Sequence, residues 1–186
     1  MRRIADLSGQ RLKWEQPSAL KMEYELRTED GELAATLRFR SSFGSFATAE
    51  SADGCWTFKR VGFWQTRVTV RPCGSDDDIA IFKNNTWSGG GTLELSSERT
   101  FRATTNCWQS KFAFETEAGE RLIEFETGGL LHLSATVGIQ PSIITMTELP
   151  LMVTLGLYLI VMIRIDTTTA AAVGGGSGLN PGGKVY

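Results

Sequence analysis

The sequence predicts a mainly β protein: a closed antiparallel barrel of about twelve strands with a central apolar C-terminal α-helix. Three observations carry that reading. A stretch near the C-terminus, 147–166, is apolar on every side; twelve short alternating runs fill the chain before it; and parts of those runs recur 43 or 44 residues apart.

From Leu149 to Ile163 no charge interrupts the apolar stretch, so a helix there has no face to offer water and must be enclosed by protein or lipid. Over 147–166 it would be roughly 28 Å long, and its uncharged run of about 15 residues is short of the usual membrane span. Burial inside the protein is the expectation. Thr147 is the expected N-cap, with Glu148 and Pro150 in the first turn and Arg164 near the end, where a cation suits the helix dipole. The Thr- and Ala-rich segment that follows, and then Gly174-Gly175-Gly176-Ser177-Gly178, read as a flexible tail over 167–186, with 1–10 an N-terminal arm and 11–166 the barrel domain.

The strands are expected at about 11–16, 20–28, 31–40, 44–50, 54–60, 66–72, 78–83, 90–96, 99–105, 110–116, 120–127 and 130–137. Val68 with Val70, Leu93 with Leu95, Phe112 with Phe114, and Leu131, Leu133, Ala135 and Val137 each share one face of a strand. Asp30-Gly31, Asp53-Gly54 and Ala118-Gly119 supply tight turns. Trp64-Gln65-Thr66-Arg67-Val68-Thr69-Val70 recurs as Trp108-Gln109-Ser110-Lys111-Phe112-Ala113-Phe114, Thr57-Phe58-Lys59 as Thr100-Phe101-Arg102, and Phe39, Phe82 and Phe125 follow one another at 43. Three copies are too few for a propeller. Three four-strand units also suit a β-trefoil, the alternative fold, but a trefoil fills its centre with side chains and leaves the apolar rod unexplained. A barrel of eleven or more strands is wide enough to hold a helix.

A chain of 186 residues fits one domain, and its net charge of −2 offers no global field to draw nucleic acid. Cys55, Cys73 and Cys107 are odd in number and widely spaced, which predicts reduced core thiols rather than a disulfide framework or a metal site. No apolar run follows Arg2 and Arg3, so no secretory signal is read and a cytoplasmic location is the default. His132 is the single histidine and has no acidic or cysteine partner at metal spacing. Gly89-Gly90-Gly91 lacks the Lys-Ser/Thr of a phosphate loop, and Asp76-Asp77-Asp78 reads as a solvated turn. With no nucleophile and base paired by motif, no cofactor and no enzymatic activity are expected.

The architecture, together with Gly138-Ile139-Gln140-Pro141 just before the helix and Gly156 within it, resembles the tubby C-terminal-like superfamily: tubby domains, phospholipid scramblases and LURP-one-related proteins. The resemblance spans about 11–166. It implies a twelve-stranded barrel around an apolar C-terminal helix. The acidic cluster that scramblases carry at this junction, taken to bind calcium, is here Ser134-Ala135-Thr136-Val137 and Ser142-Ile143-Ile144-Thr145, leaving only Glu148. One carboxylate cannot make a calcium site, so no metal is carried over. Tubby domains imply phosphoinositide binding by basic side chains on the barrel wall, for which the candidates are Lys59, Arg60, Arg67, Arg71, Arg102 and Lys111.

Lys59, Arg67, Arg102 and Lys111 hold equivalent places in two repeats, so they are candidates for one positive band able to hold an anionic headgroup; the plainer reading is the solvated face of antiparallel strands. Trp56, Trp64, Trp87 and Trp108 are either a membrane-facing rim or packing corners. The functional expectation is a non-enzymatic binding or scaffold module, cytoplasmic and membrane-associated through anionic phospholipid headgroups, with no nucleic-acid partner. The alternative is a membrane-anchored protein using 139–163 as its span. A small-molecule carrier ranks third, because a barrel filled by its own helix leaves little interior volume.

Overall fold

The computed structural model describes residues 1–7, 9–42, 44–62, 66–85, 90–129 and 132–174. Twelve strands form one closed barrel: β1 (Leu12–Glu15), β2 (Glu23–Thr28), β3 (Leu33–Phe39), β4 (Ala47–Ser51), β5 (Gly54–Val61), β6 (Arg67–Pro72), β7 (Ala80–Asn85), β8 (Gly90–Leu95), β9 (Thr100–Thr105), β10 (Lys111–Glu115), β11 (Arg121–Gly128) and β12 (Ser134–Ile139). Each pairs antiparallel with its neighbour in sequence, and β1 closes on β12 through Leu12↔Val137 and Trp14↔Ala135. Closure leaves no edge strand exposed. A trefoil is therefore excluded, and each of the twelve expected runs contains or overlaps one strand.

The repeat is a property of the barrel wall. Phe39, Phe82 and Phe125 lie on β3, β7 and β11, four strands apart each time, and all three are buried facing inward. The chain thus winds three four-strand units into one wall. Inward positions alternate as the pleat requires: Val68 and Val70, Leu93 and Leu95, Phe112 and Phe114, and Leu133, Ala135 and Val137 are buried, while His132 is exposed. Of the expected tryptophan rim, Trp56 is buried, Trp108 is exposed, and Trp64 and Trp87 lie outside the described residues, as does Leu131.

The barrel's core is α1 (Leu149–Gly174), whose residues 149–162 are buried throughout. Leu149–Ala171 is long and apolar enough to cross a membrane, and the apolar part lies within the sheet. The stretch 139–163 is not one continuous segment: it comprises the end of β12, a 3-10 turn at Pro141–Ile143, and then α1. Gly156 explains how a helix fits so closely to the wall, since a Cβ there would come within 2.3 Å of the Phe125 ring. Thr154 is fully buried and returns its hydroxyl to the carbonyls of Pro150 and Leu151 at 3.0 Å each, which satisfies a polar group in an apolar interior. Tyr158 stacks on Phe39 with centroids 5.5 Å apart, packs on Phe58, and donates its hydroxyl to the Ser45 carbonyl at 2.6 Å.

The helix differs from expectation at both ends. Glu148 rather than Thr147 occupies the cap position, its carbonyl accepting from Met152 N–H at 2.9 Å, and its carboxylate pairs with Arg99 at 2.9 Å. At the other end α1 runs to Gly174, so residues 167–174 are helical. The Thr167, Thr168 and Thr169 hydroxyls bond carbonyls three or four residues back, and the alanines that follow are the best helix formers, so the apolar face is not needed to continue the turn. The rest of the expected tail lies outside the described residues. The N-terminal arm is also structured: a 3-10 turn at Ile4–Leu7 buries Ile4 and Leu7 against α1 and closes the mouth where the helix begins. Asp53 fixes it, accepting from Ile4 N–H at 3.0 Å and pairing with Arg3 at 2.8 Å.

Cys55 and Cys73 are joined as a disulfide, which corrects the expectation of reduced core thiols; Cys107 is free and exposed. The reason is register. Trp56 opposes Pro72, so the next pair outward on β5 and β6 brings Cys55 against Cys73, with Cys73 N–H donating to the Cys55 carbonyl at 3.0 Å.

Candidate functional site

The antiparallel register of β5 and β6 decides which of the six candidate cations meet. Lys59 opposes Thr69, and Arg67 and Arg71 flank Thr69 two residues away on either side, so all three project from the outer wall of the same strand pair. They line a depression of about 420 Å³ with Phe46, Thr57 and Ser75, and the carboxylates of Asp76 and Asp78 line it too. On the next strand Lys83 stands directly opposite Arg67. Lys83 was not among the residues picked out from sequence; the signal that finds it is the β6–β7 register, not the repeat.

Carboxylates divide these cations into committed and uncommitted ones. Arg71 pairs with Asp78 at 2.6 Å and Asp76 at 3.6 Å, and the bond to Asp78 holds its pKa above the usual guanidinium value. The turn at Asp76-Asp77-Asp78 is thus the charge partner of Arg71 as well as a solvated loop. Lys83 pairs with Glu94 at 2.7 Å. Among the described residues, Lys59 and Arg67 have no carboxylate partner, and both are exposed. Two unneutralised cations beside a depression favour an anion there, since charge-assisted hydrogen bonds to phosphate are the strong ones.

The remaining candidates lie elsewhere. Arg60 follows Lys59 on β5, so alternation turns it to the inner side, where it is half-buried and forms a two-pronged pair with Asp166 of α1 at 2.6 and 3.0 Å. The Asp166 bond raises its pKa against the opposing effect of burial. Arg60 ties the helix to the wall. Lys111 bonds Glu126 at 2.7 Å and Glu124 at 3.3 Å, and those bonds raise its pKa. Arg102 is exposed on β9, opposite Thr92 and Glu115, four strands from Lys59 and a third of the way round the wall. Equivalent places in the repeat are separated by that angle, so the six do not form one continuous band. The geometry gathers Lys59, Arg67 and Arg71, adds Lys83, and leaves Arg60, Arg102 and Lys111 apart.

No group of three or more metal-ligating side chains is assembled among the described residues. No family model matches the chain. No curated protein matches it either. One solved structure that is similar is the X-ray structure of a protein from Arabidopsis thaliana, with a TM-score of 0.52 and 10% identity over 87% of this chain and 93% of that one. Identity at that level speaks for the fold alone: the chain is a twelve-stranded closed barrel with a C-terminal apolar helix, and the likeness to the plant protein extends over nearly the whole of both.

Proposed function

We propose that the chain is a non-enzymatic binding module of the tubby-like kind, and that the depression on β5 and β6 holds the headgroup of an anionic phospholipid. The observation that carries the proposal is the pair Lys59 and Arg67: exposed, diagonal neighbours across the β5–β6 pairing, and without a carboxylate partner among the described residues. Surface cations of a protein with net charge −2 are usually neutralised by neighbours, as Arg71, Lys83 and Lys111 are here. The kinship with tubby domains, scramblases and LURP-one-related proteins is supported by the barrel, by its core helix, and by Gly138-Ile139-Gln140-Pro141 leading from β12 towards α1. Under this reading the protein acts in the cytoplasm at the anionic inner leaflet, where each basic side chain near the surface contributes about 1 kcal/mol. The headgroup alone argues for that compartment, because the joined Cys55 and Cys73 are the pattern of an oxidising one.

Sedimentation with vesicles of phosphatidylcholine, with and without phosphatidylserine, tests the proposal. The protein is expected to pellet only with the acidic vesicles and to be released by salt. Lys59→Glu and Arg67→Glu should each weaken binding roughly tenfold or more, and Arg102→Glu on the distant wall should do little. Binding that is absent, or that all three substitutions weaken alike, removes the site on β5 and β6.

A further inference from the structure

The barrel interior is filled by α1, which emerges from the mouth opposite the N-terminal turn. A cleft of about 430 Å³ lies there between α1 and the ends of β9 to β12, within the size range of small-molecule sites. Phe112, Leu133, Ile160 and Ile163 supply its apolar surface. Trp108 stands at its rim, 87% exposed, which is unusual for so large an apolar side chain. Its placement is built: the Asn106 side-chain carbonyl accepts from Ser110 and Lys111 N–H at 2.9 and 3.0 Å, and Gln109 takes the left-handed conformation at φ 53°.

The cleft's polar groups are nearly all committed. The Thr105, Thr127, Thr167 and Thr168 hydroxyls donate to backbone carbonyls. Among the described residues the lining includes no acid and one cation, Arg164, which gives one hydrogen bond to the Gly129 carbonyl at 2.6 Å and has no carboxylate partner. A guanidinium carries five N–H donors, so one bond leaves it able to grip an anion.

We infer that this cleft binds a single-chain anionic amphiphile of the medium-chain carboxylate class, its carboxylate on Arg164 and its chain along Ile160, Ile163 and Phe112 beneath Trp108. One cation over an apolar floor selects for one charge on an apolar body. The inference is independent of the headgroup site: the two share no residue, and β5 and β6 do not line this cleft.

The test is tryptophan quenching by decanoate carrying a terminal bromine, below its micelle concentration, with isothermal calorimetry on unlabelled decanoate. The expected result is saturable quenching, displaced by decanoate and far less by decanol or butyrate. Trp108→Phe should remove the quenching while calorimetric binding remains. Arg164→Gln should weaken binding about tenfold, with Arg164→Lys retaining most of it, in variants whose circular dichroism matches the parent. Thr167→Trp, which fills the cleft from the exposed turn of α1, should abolish binding without touching the charge. The inference is overturned by an absence of saturable binding, by decanol binding as tightly as decanoate, by quenching that survives Trp108→Phe, or by indifference to both Arg164→Gln and Thr167→Trp. Vesicle binding through Lys59 and Arg67 can fail or succeed without altering any of these outcomes.

Discussion

One glycine and two tyrosines show what the interior demands. Gly156 is a glycine because Phe125 occupies the space its side chain would need, with ring atoms 2.3 and 2.5 Å from an added Cβ. Gly156→Ala gains about 1 kcal/mol in helix propensity but must displace a fully buried aromatic on a closed wall, a penalty of about 1–3 kcal/mol. A net loss of stability is expected, measured as a lower urea midpoint; a gain would mean that α1 and β11 are not in close contact. Tyr24 and Tyr158 are held neutral. Burial pushes the Tyr24 phenol up to about 12, and burial likewise raises Tyr158 above the usual tyrosine range. The unfolded chain then ionises first, near pH ~10, and binds fewer protons than the folded one between there and the raised values. These two residues therefore contribute stability that is full below about pH 10 and lost as the pH rises further. Denaturant melts across that range should show the loss, and Tyr158→Phe should flatten part of it.

At the scale of elements, the disulfide and the acidic turn belong together. Cys73 begins the β6–β7 connection that carries Asp76 and Asp78 to Arg71, and the bond to Cys55 closes a loop with a sequence separation of 18. On loop length alone such a cross-link contributes about 3 kcal/mol. Replacing both cysteines by serine should lower the melting temperature, and a reducing agent should do the same to the parent but not to the variant. An unchanged melting temperature would argue that the thiols are not joined. Why this pairing escaped the sequence is clear from its cause: the spacing of three cysteines says nothing until Trp56 is known to face Pro72. The extension of α1 was hidden for a different reason. Thr167, Thr168 and Thr169 read as loop formers, yet their hydroxyls bond back along the helix.

For the whole molecule, the threefold repeat carries both the success and the failure of reading the chain. Alternation and turn residues made all twelve strands legible, because a one-sided wall imposes a period of two on every segment. The apolar rod then required a container, and Phe39, Phe82 and Phe125 fall on equivalent strands of it. The same repeat does not gather its cations into one site. Lys59 and Arg102 match in sequence, but a repeat wound into a barrel turns its copies away from one another, so cations that converge come from adjacent strands such as Lys59 and Arg67. Convergence depends on register, and register is not visible in composition.

That the helix is the core of its own barrel is the claim from which the rest follows, and hydrogen exchange of the detergent-free protein tests it most directly. Amides across residues 151–162 should exchange only on global unfolding, as slowly as the central strands, and should stay protected when acidic vesicles are added. Exchange through a smaller opening, or protection that appears only in detergent or lipid, would contradict it.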